Sequence, residues 1–574
     1  ERLSAANIDR RPGGIDAIGG TGDWLLSNGT LCAVVSDVPH EIGLSMTGGW
    51  LVDLGHCGRN DDQLNYTHQL PGMEKTRIIP AQSIRTESGE GFAAVIVERV
   101  GPSLASTVRY EMRDDQPRRL TMVRELWRTG PGPRIAMVGQ VWLHPHRSLA
   151  PFGIATRHPE HSPGYRFPPF DRNNTSTMLD AMLPVDLTVL VGAEAVGPGI
   201  SYGVLSQQAV LIDDEGGEEA LLQFSLTEAD YSNQGWLSQG LWLDSGGVAG
   251  GFGMLQSLVM DIEVGEVLRI QQQLIVGDRA DVAAVTNQVY QGAWVRGTVR
   301  GDSARILVTD MAGNPLSETL AVGAFAVRLP AGVSEALLEL HTLAGSVRKI
   351  PLHIDGDELT LRPIELATTG RLALAPRQAM RLVLKGLGET PDPTIAADLI
   401  NFSVGDEHTI ASASSNVVSL VGDESDPQLL ELPPGNYRVY ASRGIEYSVQ
   451  HRDIVIRQGA ETRLAPFELE RQLNTDGLLS VDFHVHSGYS FDSAISPQQR
   501  LRSFIAQGAD VLIATEHDHL VDMARLARAM GELIVDGVDT TIPLFHALLA
   551  EPAVQSGDYN IHWLEKWLQT HLEG

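Results

Sequence analysis

The sequence predicts a multidomain, mainly β protein whose last hundred residues turn to α/β. Three observations carry this. From Asp23 to about Val285, short apolar runs are broken by Gly, Asn, Asp and Pro; between about Tyr290 and Glu470 an imperfect repeat appears; from Ser480 the pattern becomes strand, helix, strand, helix. A chain of 574 residues, 43% of them hydrophobic, is also too long for one core and divides into several packed bodies.

In the first stretch, Trp24 to Val35 places Asn28-Gly29 between two apolar runs, a strong short-range hairpin signal. Further strands are expected at Ala93–Val100, Arg119–Trp127, Ile135–Leu143, Leu187–Val191 and Val267–Val276. With little helical periodicity among them, residues 1–288 read as a large β-sandwich. Leu44 to Leu54 resembles the start of large sandwich domains in some sugar-binding and hydrolase-associated proteins.

Two smaller sandwiches are expected at 289–365 and 366–472. The first carries Val308–Pro315, a strand running into a turn, and Phe325–Gly332. The second carries Leu432–Tyr440, where Pro433, Pro434 and Gly435 set a turn and alternating residues set the next strand. These pieces resemble carboxypeptidase-regulatory or transthyretin-like modules, which serve as spacers and packing units.

The remainder, 473–574, opens with Leu478–Val485 as a short apolar strand. Ser496-Pro497-Gln498-Gln499 then supplies a hydroxyl cap, a first-turn proline and a return-capping glutamine. Leu501, Phe504 and Ile505 share one helical face, Gly508 stops the helix, and Val511–Thr515 forms the next strand. Two successive βα units imply a parallel sheet or barrel.

His484 and His486 flank one residue at a strand end, so both imidazoles point to one side, as two ligands of a divalent metal would. Glu516, His517, Asp518 and His519 close the following strand, at the rim where parallel barrels build their sites. Asp482–Ser487, Ser490–Ser493, Ala506–Val511 and Ala514–Asp518, in that order, resemble the polymerase-and-histidinol-phosphatase (PHP) metallohydrolase superfamily, in its carbaryl-hydrolase-like branch. The resemblance implies the first part of a distorted α/β barrel. It makes His484 and His486 ligands of the first metal, Asp492 the carboxylate after a serine-rich turn and His517 the histidine of the second motif. Glu516 takes a supporting hydrogen-bonding role, and Asp539 stands where a bridging glutamate is usual. Two or three divalent ions, Zn, Mn or Fe, would activate a water against a phosphoester or a carbamate or carboxyl ester, with Asp492, Glu516 and His517 catalytic. The alternative is a non-catalytic carbohydrate- or protein-binding surface protein. With 95 residues after Leu479 and no later Asp-x-His pair, the chain reads as a fragment ending before the last metal-binding strand.

The formal charge of -29 argues against nucleic acid and anionic membranes as partners, because phosphate attraction needs clustered Lys and Arg. No apolar run is long enough for a transmembrane helix. Cys32 and Cys57 are too few for a disulfide scaffold and read as ordinary buried or free thiols, the alternatives being one disulfide or a redox role. A start at Glu1 fits a processed export precursor, periplasmic or at the cell surface, or an incomplete sequence, with a cytoplasmic location as the alternative; the oligomeric state is not encoded in any pattern found.

Overall fold

A computed structural model describes the chain outside residues 15, 41–46, 65, 72–78, 131–134, 145–148, 158, 166–184, 193–197, 230–234, 244–258, 302, 343–346, 394, 396–415, 423–428, 488–494, 517–550, 553–566 and 568–574. It is mainly β, with half of its residues in strands and 6% in helices. The chain forms two compact units, Glu1–Val521 and Asp522–Gly574, and the elements below all belong to the first.

Strands β1 (Trp24–Ser27), β2 (Leu31–Val35) and β3 (Leu51–His56) form a small antiparallel sheet. The expected hairpin is present but shifted by one residue. The Asn28 N–H donates to the Leu31 carbonyl, so Gly29 and Thr30 are the central pair, and Gly29 has φ +85. A positive φ at the first central residue alone is the type II′ pattern. Asn28 instead braces the turn, its Oδ1 accepting from the N–H groups of Thr30 and Leu31.

A second sheet has thirteen strands: β4 (Tyr66–Pro71), β5 (Ala81–Gly89), β6 (Phe92–Val100), β7 (Leu104–Arg113), β8 (Arg119–Arg128), β9 (Ile135–His144), β10 (Leu149–Ile154), β11 (Leu187–Gly192), β12 (Ser201–Ile212), β13 (Glu218–Ala229), β14 (Gly235–Leu243), β15 (Val259–Asp261) and β16 (Val267–Gly277). Its central run is ordered β12-β16-β8-β7-β6-β5. Alternate residues of that run, among them Val97, Val108, Tyr110, Met122, Val204 and Leu274, meet Leu31, Val35, Leu51 and Leu54 of the small sheet in one buried core. The strict two-residue period fixes which face is apolar. Helix α1 (Ala283–Val289) covers the opposite face at one end, packing Val285 with Phe152, Val189 and Ile275.

The small sheet corrects the reading of the cysteines. Register pairs Cys32 with Gly55, which brings Cys57 alongside, and the two form a disulfide with Cα atoms 5.0 Å apart. Their separation of 25 residues gave no cue, because the crossing depends on the return of β3 onto β2.

The imperfect repeat corresponds to two bodies of the same topology. In the first, β17 (Trp294–Arg300), β20 (Ala324–Arg328), β23 (Glu358–Thr360) and β24 (Ile364–Glu365) face a sheet of β18 (Ala304–Thr309), β19 (Pro315–Ala321), β21 (Glu335–Thr342) and β22 (Val347–His353). Both sheets contribute to one core, with Val295, Val299 and Val327 against Ile306, Val308, Leu338 and Leu340. In the second, β25 (Gly370–Ala373), β28 (Leu429–Leu432) and β31 (Glu461–Arg463) face β26 (Met380–Gly386), β27 (Val417–Leu420), β29 (Gly435–Ser442) and β30 (Gln450–Ile456). Strand orders β19-β18-β21-β22 and β27-β26-β29-β30 match, and β17 pairs β23 in parallel as β25 pairs β31. Buried Arg305 and Glu318 pair at 3.0 Å, and Tyr165 donates to the same carboxylate, tying this body to the segment after β10.

Near the end, β32 (Val481–Val485) and β33 (Val511–Ala514) pair in parallel on either side of α2 (Pro497–Ala506), the expected βα unit. Ser496 accepts from the Gln499 N–H at 3.2 Å, and Leu501 and Ile505 are buried. The barrel itself is not seen. Among the described residues the parallel sheet has two strands, and Asp482, Phe483 and His484 in β32 are exposed, whereas parallel barrel strands are buried on both faces.

Candidate functional site

Of the residues singled out near the C-terminus, His484 and His486 come together, and Glu516 is bonded to the neighbouring Ser487. The Nε2 atoms of His484 and His486 lie 3.0 Å apart, with ring centroids at 4.8 Å, as strand parity requires. Glu516 accepts from the Ser487 N–H with both carboxylate oxygens at 2.9 Å and also from the Ser487 hydroxyl. Arg500 donates to the His486 carbonyl at 2.8 Å; burial pulls its guanidinium below the usual range, opposed by the charges of Glu516 and Asp482. Asp492, His517 and Asp539 lie outside the described residues. Among the described residues no group of three or more His, Cys, Asp or Glu side chains is arranged to hold a metal.

A larger array, which the motifs did not reveal, occupies the open face of the thirteen-stranded sheet. Register places three rows side by side across five strands, β5 through β8 and β16. One row is Arg85, Ile96, Arg109, Val123 and Gln271; the next is Glu87, Ala94, Glu111, Thr121 and Gln273. The third is Ser83, Glu98, Thr107, Glu125 and Arg269. Four interstrand spacings make each row about 19 Å wide.

The charges order one another. Glu98, Arg85, Glu87, Arg109, Glu111, Arg113 and Asp115 form a continuous chain of ion pairs, and Arg269 pairs with Glu125 at 2.8 Å. Hydrogen bonds from Arg109 and Arg85 hold the Glu87 carboxyl below its ordinary range, and those from Ser83 and Arg85 do the same for Glu98. The side chains stay accessible, Arg109 at 27% and Arg85 at 51%. Gln271 donates to Gln207 at 2.9 Å, extending the array onto β12. At one edge the Phe92 ring lies 5.8 and 5.9 Å from the guanidinium carbons of Arg109 and Arg113. At the other limit Arg119 joins Gln273 to the Gln288 carbonyl of α1. Surface ion pairs add little stability singly. What this chain of pairs does is fix the rotamers of planar groups that keep unused hydrogen-bonding edges toward solvent. The only sequence signal was charge at every second residue, as in Arg109, Glu111 and Arg113.

No protein-family model matches the chain. Two curated proteins share local similarity: biotin carboxylase of Pseudomonas aeruginosa, 32% identical over 141 residues covering 22% of this chain and 28% of that protein, and biotin carboxylase of Haemophilus influenzae, 37% identical over 98 residues covering 17% and 20%. The chain thus spans about a quarter of the length of the curated relatives it matches. Among solved structures, a galactose mutarotase related enzyme of Lactobacillus acidophilus aligns over 45% of this chain and 98% of its own, at 9% identity and a TM-score of 0.23. An alpha-galactosidase of Lactobacillus brevis aligns over 49% of this chain and 44% of its own, at 9% identity and a TM-score of 0.24.

These findings correct the family expected from Asp482–Asp518. No family model matches, the curated matches carry the name biotin carboxylase rather than that of a PHP metallohydrolase, and no metal-holding group stands among the described residues. The hydrolase assignment and the phosphoesterase and metal-binding descriptions fall with it. The physical reason is that the ordered run covers about a tenth of the chain, so two βα junctions had to speak for a whole barrel. Among the described residues no helix is long and apolar enough to cross a membrane.

Proposed function

We propose that this chain is a modular β-sandwich protein that binds carbohydrate on the open face of its large sheet. The supporting observation is the three-row array of Arg, Glu, Gln and Thr side chains, pre-ordered by their own ion pairs and half exposed. Sugar hydroxyls both donate and accept, so a surface of planar forks and amides with free edges suits them, and pre-ordering lowers the entropic cost of binding. Within the three rows the nonpolar members, Ile96, Ala94 and Val123, stand among charged, hydroxyl and amide side chains, and the next row on the same face sets Trp127 between Ala105 and Val267. Modules of 1–288, 289–365, 366–472 and 473–574, with the two small sandwiches as spacers, complete the reading. A disulfide between Cys32 and Cys57 supports an exported location, since such bonds persist in oxidising compartments.

The test is a glycan panel screened against the whole chain, followed by titration calorimetry of any hit. Arg109→Ala and Gln271→Ala are expected to weaken binding at least tenfold with little change in thermal stability. An empty panel, or unchanged affinity in both variants, would overturn the proposal.

A further inference from the structure

Three carboxylates are sunk together under the small N-terminal sheet, at the junction of four chain segments. Asp53 stands on β3 and accepts from the N–H groups of Ile18 and Gly19, fastening the N-terminal segment; a Cβ on Gly19 would come within 2.4 Å of its Oδ2. Asp62 accepts from the Leu64 N–H and from the Tyr202 hydroxyl of β12, fastening the turn after β3 to the large sheet. Asp16 joins them, its N–H on the Asp62 carbonyl and its carboxyl feeling the charge of Asp53. All three are at most 2% exposed, and the Oδ2 atoms of Asp16 and Asp62 have no hydrogen-bond partner among the described residues.

The surrounding charged groups do not neutralise them. From the N-terminal segment, Arg11 donates to the Gly19 carbonyl and acts on Asp53 only through its charge. In the turn after β3, Asp61 is taken by His56 at 2.7 Å and by Arg59. Asp23, in the 20–23 turn, is taken by His40 at 2.8 Å and adds to the negative charge felt by Asp53. From β12 the Tyr202 hydroxyl faces the group. Buried carboxyls with orphan oxygens and no paired cation are stable as neutral acids.

We propose that Asp16, Asp53 and Asp62 form a proton-holding lock that keeps the N-terminal segment and the 61–64 turn fastened to the large sheet while protonated and loosens them when the protons leave. Burial, opposed by the Ile18 and Gly19 N–H groups and by Arg11, pushes Asp53 up to about 7; burial and then the charge of Asp53 push Asp16 and Asp62 well above the ordinary carboxylate range. A carboxyl raised on folding contributes stability at low pH that is lost as pH rises through its folded value. For Asp53 alone, the unfolding constant rises about tenfold between pH 6 and pH 8.

The experiment is urea unfolding of the whole chain from pH 5 to pH 9, with hydrogen–deuterium exchange at residues 16–20 and 61–64 corrected for the intrinsic pH dependence. The unfolding constant of the wild type is expected to rise at least tenfold from pH 6 to pH 8, with faster exchange in both segments. Asp16→Asn and Asp62→Asn should flatten that dependence. Should either variant fail to fold, difference infrared spectra of wild type keep the test decisive, because a protonated carboxyl band must be present at pH 6 and fade by pH 9. Equal pH dependence in wild type and variants, or no such band at pH 6, overturns the lock.

Discussion

Removing the disulfide gives the most direct check on how the N-terminal sheet is assembled. A link closing 25 residues restricts the unfolded chain by about 12 cal/mol/K, or about 3.5 kcal/mol at 25 °C, in the chain-entropy treatment. Cys32 is also buried among Leu3, Leu25, Val34, Trp50 and Val52, so replacing both sulfurs adds a packing loss that reduction does not. The comparison is therefore threefold: oxidised protein, reduced protein and the Cys32→Ala/Cys57→Ala variant, unfolded in urea and followed by the fluorescence of Trp24 and Trp50. Reduction is expected to raise the unfolding constant of this region roughly 400-fold, the equivalent of 3.5 kcal/mol, and the double variant somewhat more. A change below about 1 kcal/mol on reduction, or two reactive thiols in the denatured unreduced protein, would refute the reasoning.

Other substitutions test other parts. Glu318→Ala leaves the buried Arg305 guanidinium without its carboxylate and is expected to cost about 3–5 kcal/mol; Arg305→Met with Glu318→Leu should cost far less, both read by urea unfolding. Tyr437→Phe removes the hydroxyl that donates to the Pro433 carbonyl at 2.9 Å, and should cost about 1 kcal/mol by thermal unfolding.

Much of the secondary structure was legible because it is set locally. The strand at Arg119–Trp127 is found at Arg119–Arg128 and that at Val267–Val276 at Val267–Gly277, since alternation of apolar residues is a property of the strand itself. Ser496 and Pro497 start a helix wherever the chain places them, and Gly508, at φ +72, ends it. The repeat was visible at Leu329-Pro330 and Leu432-Pro433, where the same turn leads into the same central strand. The hairpin slipped by one residue because Asn28 is as useful bracing a turn as occupying it.

What the sequence determined alone was therefore the β character, the strand positions, the repeat and the capped βα unit, all governed by neighbours a few residues apart. Only the tertiary structure decided which cysteine meets which, that charges on five strands fall into three rows, and that Asp16, Asp53 and Asp62 are buried together. Those depend on register between segments tens to hundreds of residues apart, as between Asp62 and Tyr202. The misread family has the same cause: His484 and His486 do sit side by side, but whether a metal site surrounds them is fixed by distant chain, not by their spacing.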